Sequence, residues 1–352
     1  MKALYKLEDS TIINSQGEII FFSLEKFIND IAKGGCCFIC GASPTDKKFN
    51  NEHIIPDWIL RRFDLYNKQI KLPNGTYIYY RQYVIPCCED CNSQLGKEIE
   101  APISDLLSLS YREIIKQIHL DKDLVYLIFR WLSLLYLKTN LKDKFLLADR
   151  DTRTGSKKIG DSHVWEEIHH IHCIARSHYT KAKIDYTVFG TIFIFPALNL
   201  EEYDTFDYID NSAAKVVMVQ IDDFCIVAVL NDACAGFTLL QNMFMRITGP
   251  LSPFQKREII SHLIYINLHL KERPTFYSSF TKNGTYEIKA DIPKQVELIE
   301  SENEVTSIGT LLHLYVKDIM SEFDGKNEVL ESIRLGKRGY LFNQNGDFIN
   351  HS

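Results

Sequence analysis

The chain has 352 residues, 45% of them hydrophobic and 24% charged, with a formal net charge of -6. That length exceeds what a single core usually supports, so two or three domains are expected, and an aromatic content of 12% excludes extended disorder. The acidic balance excludes a protein that coats nucleic acid non-specifically, since Lys and Arg on phosphates supply most of that affinity.

Residues 1–34 read as a small lead-in. Short β-prone runs flank Ser15-Gln16-Gly17, and Ser23 stands as N-cap to Leu24, Phe27, Ile28 and Ile31 at helical spacing, stopped by Gly34-Gly35. Further on, Asn74-Gly75 between β-prone flanks is a hairpin signal, with strand continuing to Ile85. From Leu95 onward Leu95, Ile99 and Ile103 form one helical stripe. Beyond about residue 105 the pattern turns helical, over Ile114 to His119 and Leu124 to Leu137. It becomes β-rich from about 163 to 231, where Val216–Val219 and Phe224–Val229 flank Asp222-Asp223 as a second hairpin. Glu258 to Leu270 and Ile308 to Phe323 read as helices, with a hairpin turn at Lys282-Asn283-Gly284-Thr285 between them. The fold class expected is α+β.

The first residues lack an apolar run followed by small side chains, and Leu124 to Leu137 contains Arg130 and falls short of the roughly 20 residues a membrane span needs. A cytoplasmic address without membrane association is therefore expected. There the nine cysteines should be reduced, so paired Cys-x-x-Cys reads as a metal site before it reads as a disulfide framework. Cys37-Phe38-Ile39-Cys40 and Cys88-Glu89-Asp90-Cys91 each place two thiolates about one ion-width apart, which suits tetrahedral structural Zn²⁺. The 47 residues between the pairs hold a hairpin, and loop entropy rises only slowly with such length. Cys36 and Cys87 precede the pairs and are alternates; the two-residue spacings favour Cys37, Cys40, Cys88 and Cys91.

Between the knuckles stands Glu52-His53-Ile54-Ile55-Pro56, and the second knuckle runs straight into Asn92. With these elements in this order, residues 36–103 resemble the HNH endonucleases, ββα-metal nucleases in the treble-clef form with a four-cysteine structural zinc. The resemblance implies a nuclease domain at 35–105, the lead-in 1–34 packed on it, and a larger α+β domain at 106–352 for targeting, regulation or assembly. It further implies His53 as general base and Glu52 and Asn92 as ligands of a catalytic Mg²⁺ or Mn²⁺. The chemistry asks for these types independently. Phosphodiester hydrolysis needs an activated water and a cation that takes up charge; histidine exchanges a proton near neutral pH, and Glu and Asn supply hard oxygens.

One position departs from the family. Where many relatives carry a second His one turn after Asn92, this chain has Gly96. Glu100 is eight helical residues from Asn92, about 12 Å, so Glu98 and Glu100 are expected as structural carboxylates. Arg61, Arg62 and Arg81 are candidates for gripping phosphates, while Trp58 and Ile59 are expected to be buried. Within Trp165 to Cys173, His170 and His172 would share a face of a strand and could bind a second metal, although a solvated polar face is the commoner outcome. The implied partner is nucleic acid, DNA before RNA. A prokaryotic restriction or antiphage role fits the family, and a homodimer or a partner protein would supply a second centre for double-strand cleavage. The alternatives are a zinc-dependent binding module without catalysis and an RNA-cleaving toxin.

Overall fold

The computed structural model describes residues 3–151, 153, 155–281, 284–299 and 304–351. Strands β1 (Leu4–Lys6), β2 (Ile12–Asn14) and β3 (Ile19–Phe21) form an antiparallel meander. Asn14 closes its second turn, its Oδ1 accepting from the backbone N–H groups of Gln16 and Glu18 at 3.0 Å, while Gly17 takes a positive φ of 77°. Ser23 then caps the following helix as expected, its hydroxyl accepting from the Lys26 N–H at 3.1 Å.

The segment holding the motifs is a strand pair followed by a helix. β4 (Phe49–His53) runs antiparallel to β7 (Val84–Cys88), with Phe49 opposite Cys88 and His53 opposite Val84. Between them lie a helix at Asp57–Arg62 and the expected hairpin of β5 (Gln69–Lys71) and β6 (Tyr77–Tyr79), turned by Asn74-Gly75. From Glu89 the chain is helical to Leu107, with a wider π-type stretch at Gly96–Glu100. The stripe explains that stretch. Leu95, Ile99 and Ile103 are all fully buried, and a strict four-residue spacing overruns a 3.6-residue turn unless a wider turn takes up the excess.

A helix at Asp123–Asp143 follows, buried along most of its length from Ile128 onward. Residues 165–180, expected as strand, are helical, including His169–Ala175. Trp165, Ile168, Ile171 and Ala175 recur every three or four residues and all are buried, so the helical period outweighs the β-prone composition.

β8 (Lys183–Ile184) precedes a regular antiparallel sheet of β9 (Ile192–Pro196), β10 (Phe206–Asn211), β11 (Val216–Ile221) and β12 (Phe224–Val229), in the order β10-β11-β12-β9. The expected hairpin around Asp222-Asp223 joins β11 to β12. A helix at Pro253–His269, longer at its start than expected because Ser252 and Gln255 form a capping box, packs Ile259, Ile260, Leu263 and Ile264 against Val216, Met218, Cys225 and Val227. β13 (Thr275–Phe280) and β14 (Tyr286–Asp291) form a three-stranded sheet with β8; Lys282 and Asn283 of the turn expected there lie outside the described residues. The helix from Ile308 ends at Val316, short of Phe323.

The chain is mixed α+β and divides into two compact units. The first comprises residues 1–109, 116–188 and 276–290, and the second residues 110–115, 189–275 and 291–352. The boundary expected at 105/106 is therefore corrected: the helices at 123–143 and 169–175 belong with the cysteine pairs. The reason is side-chain anchoring, described next. Among the described residues no helix is long and apolar enough to cross a membrane.

Candidate metal centre and the strand that carries His53

The knuckle 37–40 and the β7-to-helix junction bring four thiols together. The Sγ atoms of Cys37, Cys40, Cys88 and Cys91 all lie within 4.8 Å of one another, with Cys40 and Cys88 at 3.6 Å. Four thiolates on zinc at about 2.3 Å span tetrahedron edges of about 3.8 Å, so this cluster could hold a metal ion such as zinc. The electrostatics agree with a cation site. Cys37 is held well below the ordinary thiol range by hydrogen bonds from Cys40, Cys87 and Cys91, and its charge in turn pushes Cys40 up to about 12 and raises Cys91. So crowded a cluster carries few thiolates on its own, and a divalent ion removes that penalty. Of the alternates, Cys87 lies beside the cluster, its sulfur 3.8 Å from that of Cys37, and Cys36 stays outside it.

Side chains from the helix at His169–Ala175 and the residue after it hold this knuckle and the segment at 19–22. His172 Nε2 donates to the Phe38 carbonyl at 2.9 Å, and His169 Nε2 to that of Phe22 at 2.9 Å. Arg176, 1% exposed, donates to the carbonyls of Ile39, Ile20 and Ile19 and lies 4.5 Å over the Phe22 ring. Burial holds His172 well below its usual range and brings His169 down to about 4, so both rings are neutral at pH 7. The second-metal reading of His170 and His172 is thereby corrected: on a helix they no longer share a face, His172 is a backbone donor, and His170 stacks on Phe276 at 3.8 Å.

Strand alternation in β4 sends Glu52 inward and leaves His53 half-buried on the other face. Glu52 meets a lysine that was not among the expected site residues. Lys138, 1% exposed on the long helix, places Nζ 2.6 Å from Glu52 Oε1, 2.7 Å from the His53 carbonyl oxygen and 3.5 Å from Glu100 Oε1. Burial, together with the nearby Glu52, raises Glu100 to about 7 against the pull of Lys138. The negative charge of Glu52 is thus already matched, which runs against the ligand role expected for it. Asn92 Nδ2 donates to Asn50 Oδ1 at 2.8 Å, which leaves its own Oδ1 as an acceptor. A side chain at Gly96 would meet nothing within 4 Å, so the helix beyond Asn92 borders open space.

Around His53 the elements bring together Tyr66, whose ring meets the imidazole edge-on at 6.3 Å, and Asp57, which accepts from Tyr66 and, at 2.7 Å, from Arg61. Arg81 donates to Asn67 and to the Tyr66 carbonyl and lies 4.5 Å over the Tyr79 ring. Arg61 and Arg81 are both exposed. Arg62 is not with them: it donates to the Leu107 carbonyl at 2.9 Å and so closes a helix end. Ile59 is buried as expected, and Trp58 is half-buried 6.5 Å from the Trp131 ring. Glu98 is a structural carboxylate, paired to Lys181 at 2.7 Å.

Lys138 was discoverable in the sequence: it continues the stripe of Trp131 and Leu134 or Leu135, a place where a lysine must be paired. Tyr66 carries no such signal, since only the loop after the Asp57–Arg62 helix returns it to Asp57. Set against family models, curated proteins and solved structures, the chain gives no significant match to any of them.

Proposed function

We propose that this chain is an HNH-type endonuclease that hydrolyses phosphodiester bonds, in DNA before RNA, with a structural zinc beneath the catalytic strand. The observation that carries the reading is the arrangement of β4, β7 and the helix from Glu89. It puts a half-buried histidine at the end of one strand and an asparagine in the first turn of the helix, on a backbone tied to a four-cysteine cluster. In this reading His53 takes the proton of the attacking water. Arg61 and Arg81 grip phosphate oxygens, and the Tyr66 ring limits the swing of the imidazole. Asn92 Oδ1 would hold a Mg²⁺ or Mn²⁺ ion whose remaining positions are phosphate oxygens and waters, and the ion would supply charge neutralisation at the phosphate.

The test is relaxation of supercoiled plasmid by purified protein in Mg²⁺ or Mn²⁺, with EDTA, and with an RNA arm. Nicking of DNA that EDTA stops and Mg²⁺ restores is expected. His53→Ala should lower the rate at least about 100-fold with zinc content unchanged, because it removes only the base. A second reading, a zinc-dependent binding module without catalysis, is favoured by the commitment of Glu52 to Lys138. DNA binding without nicking in either metal would select it, and preferential loss of RNA would select the toxin reading. A restriction or defence role follows only from the nuclease reading.

A further inference from the structure

We infer that Lys138 is a positioning residue for His53, and that Glu52 serves as the counter-ion of Lys138 and not as a ligand of a hard cation. This deepens the nuclease reading and rests on it for the rate effects, while the geometry stands by itself. The ammonium of Lys138 has two acceptors, Glu52 Oε1 at 2.6 Å and the His53 carbonyl oxygen at 2.7 Å, and a second carboxylate beside it as an ion pair, Glu100 Oε1 at 3.5 Å. One buried cation thus joins the strand end, the helix from Glu89 and the helix at Asp123–Asp143.

Three physical points favour this role. First, β4 ends at His53, so its carbonyl lies at the ladder's edge, and the ammonium 2.7 Å away holds that peptide plane at the residue whose imidazole must face the phosphate. Second, a lysine 1% exposed is stable as a cation only with carboxylates beside it, which gives Glu52 and Glu100 their purpose. Third, a divalent ion at Glu52 would stand beside that ammonium, where like charges repel in a site with little water to screen them. Two carboxylates shared with a lysine therefore make a fixed internal cation site, leaving the exchangeable ion to Asn92 and the substrate.

The experiment uses the full chain loaded with zinc. Lys138→Met alone strands two buried carboxylates and is liable to fold poorly. The deciding variant is therefore the triple replacement Glu52→Gln, Lys138→Met and Glu100→Gln, which leaves no unpaired buried charge. It should keep one zinc per chain and a melting temperature near wild type, yet lose about 10-fold or more in kcat with KM for plasmid within about twofold, as misplacement of a base does. Restoring Lys138 and Glu52 while keeping Glu100→Gln should recover most of the rate. Glu52→Gln should leave the Mn²⁺ affinity, read from the electron-paramagnetic signal of the free ion, within about twofold of wild type, with Asn92→Ala as the weakened comparison. A folded triple variant that nicks at the wild-type rate would overturn the positioning role, and a tenfold loss of Mn²⁺ affinity in Glu52→Gln would overturn the counter-ion role. If wild type cuts no substrate the nuclease reading fails, and the inference is still decided by NMR: the His53 Cε1–H resonance must move in the triple variant, and an unmoved resonance refutes it.

Discussion

The two units meet the same problem, a buried cation, with different mixtures of partners. In the second unit the strands β10, β11 and β12 are six residues long and pair along their whole length, so few carbonyls are left over. Two of its buried cations turn first to side chains, Arg257 pairing with Asp207 at 2.7 Å and Lys256 meeting Gln220, while Lys215 donates to the Ala213 carbonyl two residues away at 3.0 Å. In the first unit all strands but β13 and β14 are five residues or fewer, and its buried cations reach across the chain to distant backbone. Lys138 donates to His53, Lys144 to Ile31 at 3.0 Å, and Arg176 to Ile39, Ile19 and Ile20. Irregular backbone packed out of water leaves carbonyls that no ladder satisfies, and a long cationic side chain is one of the few groups that can reach them. The lesson is that a unit built from short strands needs anchors, of which a metal cluster is the strongest.

The largest effect expected from this contrast is on metal removal. Structural zinc is worth on the order of 10 kcal/mol in small domains, so stripping the ion, or Cys88→Ser, should unfold the first unit while the second persists. Hydrogen exchange reads this directly: protection should vanish in β4 and β7 and survive in β11 and β12. Loss of protection in both units together would break the contrast. Next comes Arg176→Leu, which strands three carbonyls and should cost about 3 kcal/mol or more in urea denaturation. Arg176→Lys should recover little, since one ammonium cannot reproduce the fork. Smaller still, Val227→Ala in the core of the second unit should cost about 2 kcal/mol and leave zinc content untouched.

Much of the first unit's local structure was legible. The Asn74-Gly75 hairpin, the Ser23 cap and the Leu95, Ile99, Ile103 stripe depend on neighbouring residues alone, and the cysteine spacing reports its own geometry. What stayed hidden depends on long-range partners. Lys138 and Glu52 are 86 positions apart, and Arg176 and Ile39 are 137 apart. No local pattern distinguishes an arginine that grips a buried knuckle from one on a solvated face. The same limit explains the misplaced domain boundary, because residues 165–180 join the cysteine pairs through His169, His172 and Arg176. It also explains Arg62, which sits next to Arg61 in sequence but closes a helix end.

The smallest effect, and the finest test of the contrast, is the response to acid. Desolvation brings His169 and His178 down to about 4 and holds His172 well below its usual range, all in the first unit, whereas in the second unit His262 is the one such histidine among the described residues, at about 4. A histidine whose folded pKa is depressed takes up protons on unfolding, so its stabilising contribution is complete above about pH 6.5 and is lost as the pH falls from there towards 4. Glu100, raised to about 7, works in the opposite sense, since its folded form binds the proton more tightly: its contribution is present at low pH and is lost as the pH rises through about 7. In the first unit three lowered histidines stand against one raised carboxylate, while in the second Asp210, raised to about 7, and the raised Asp232 and Glu258 stand against the single His262, which leaves the first unit with the steeper net fall. The unfolding midpoint of the first unit should therefore drop faster than that of the second between pH 6.5 and 4, and His169→Gln should flatten that slope whatever it does to the midpoint itself. Zinc content followed in the same samples separates this slope from acid release of the ion. Parallel slopes in the two units would show that the neutral buried histidines do not govern how the first unit meets acid.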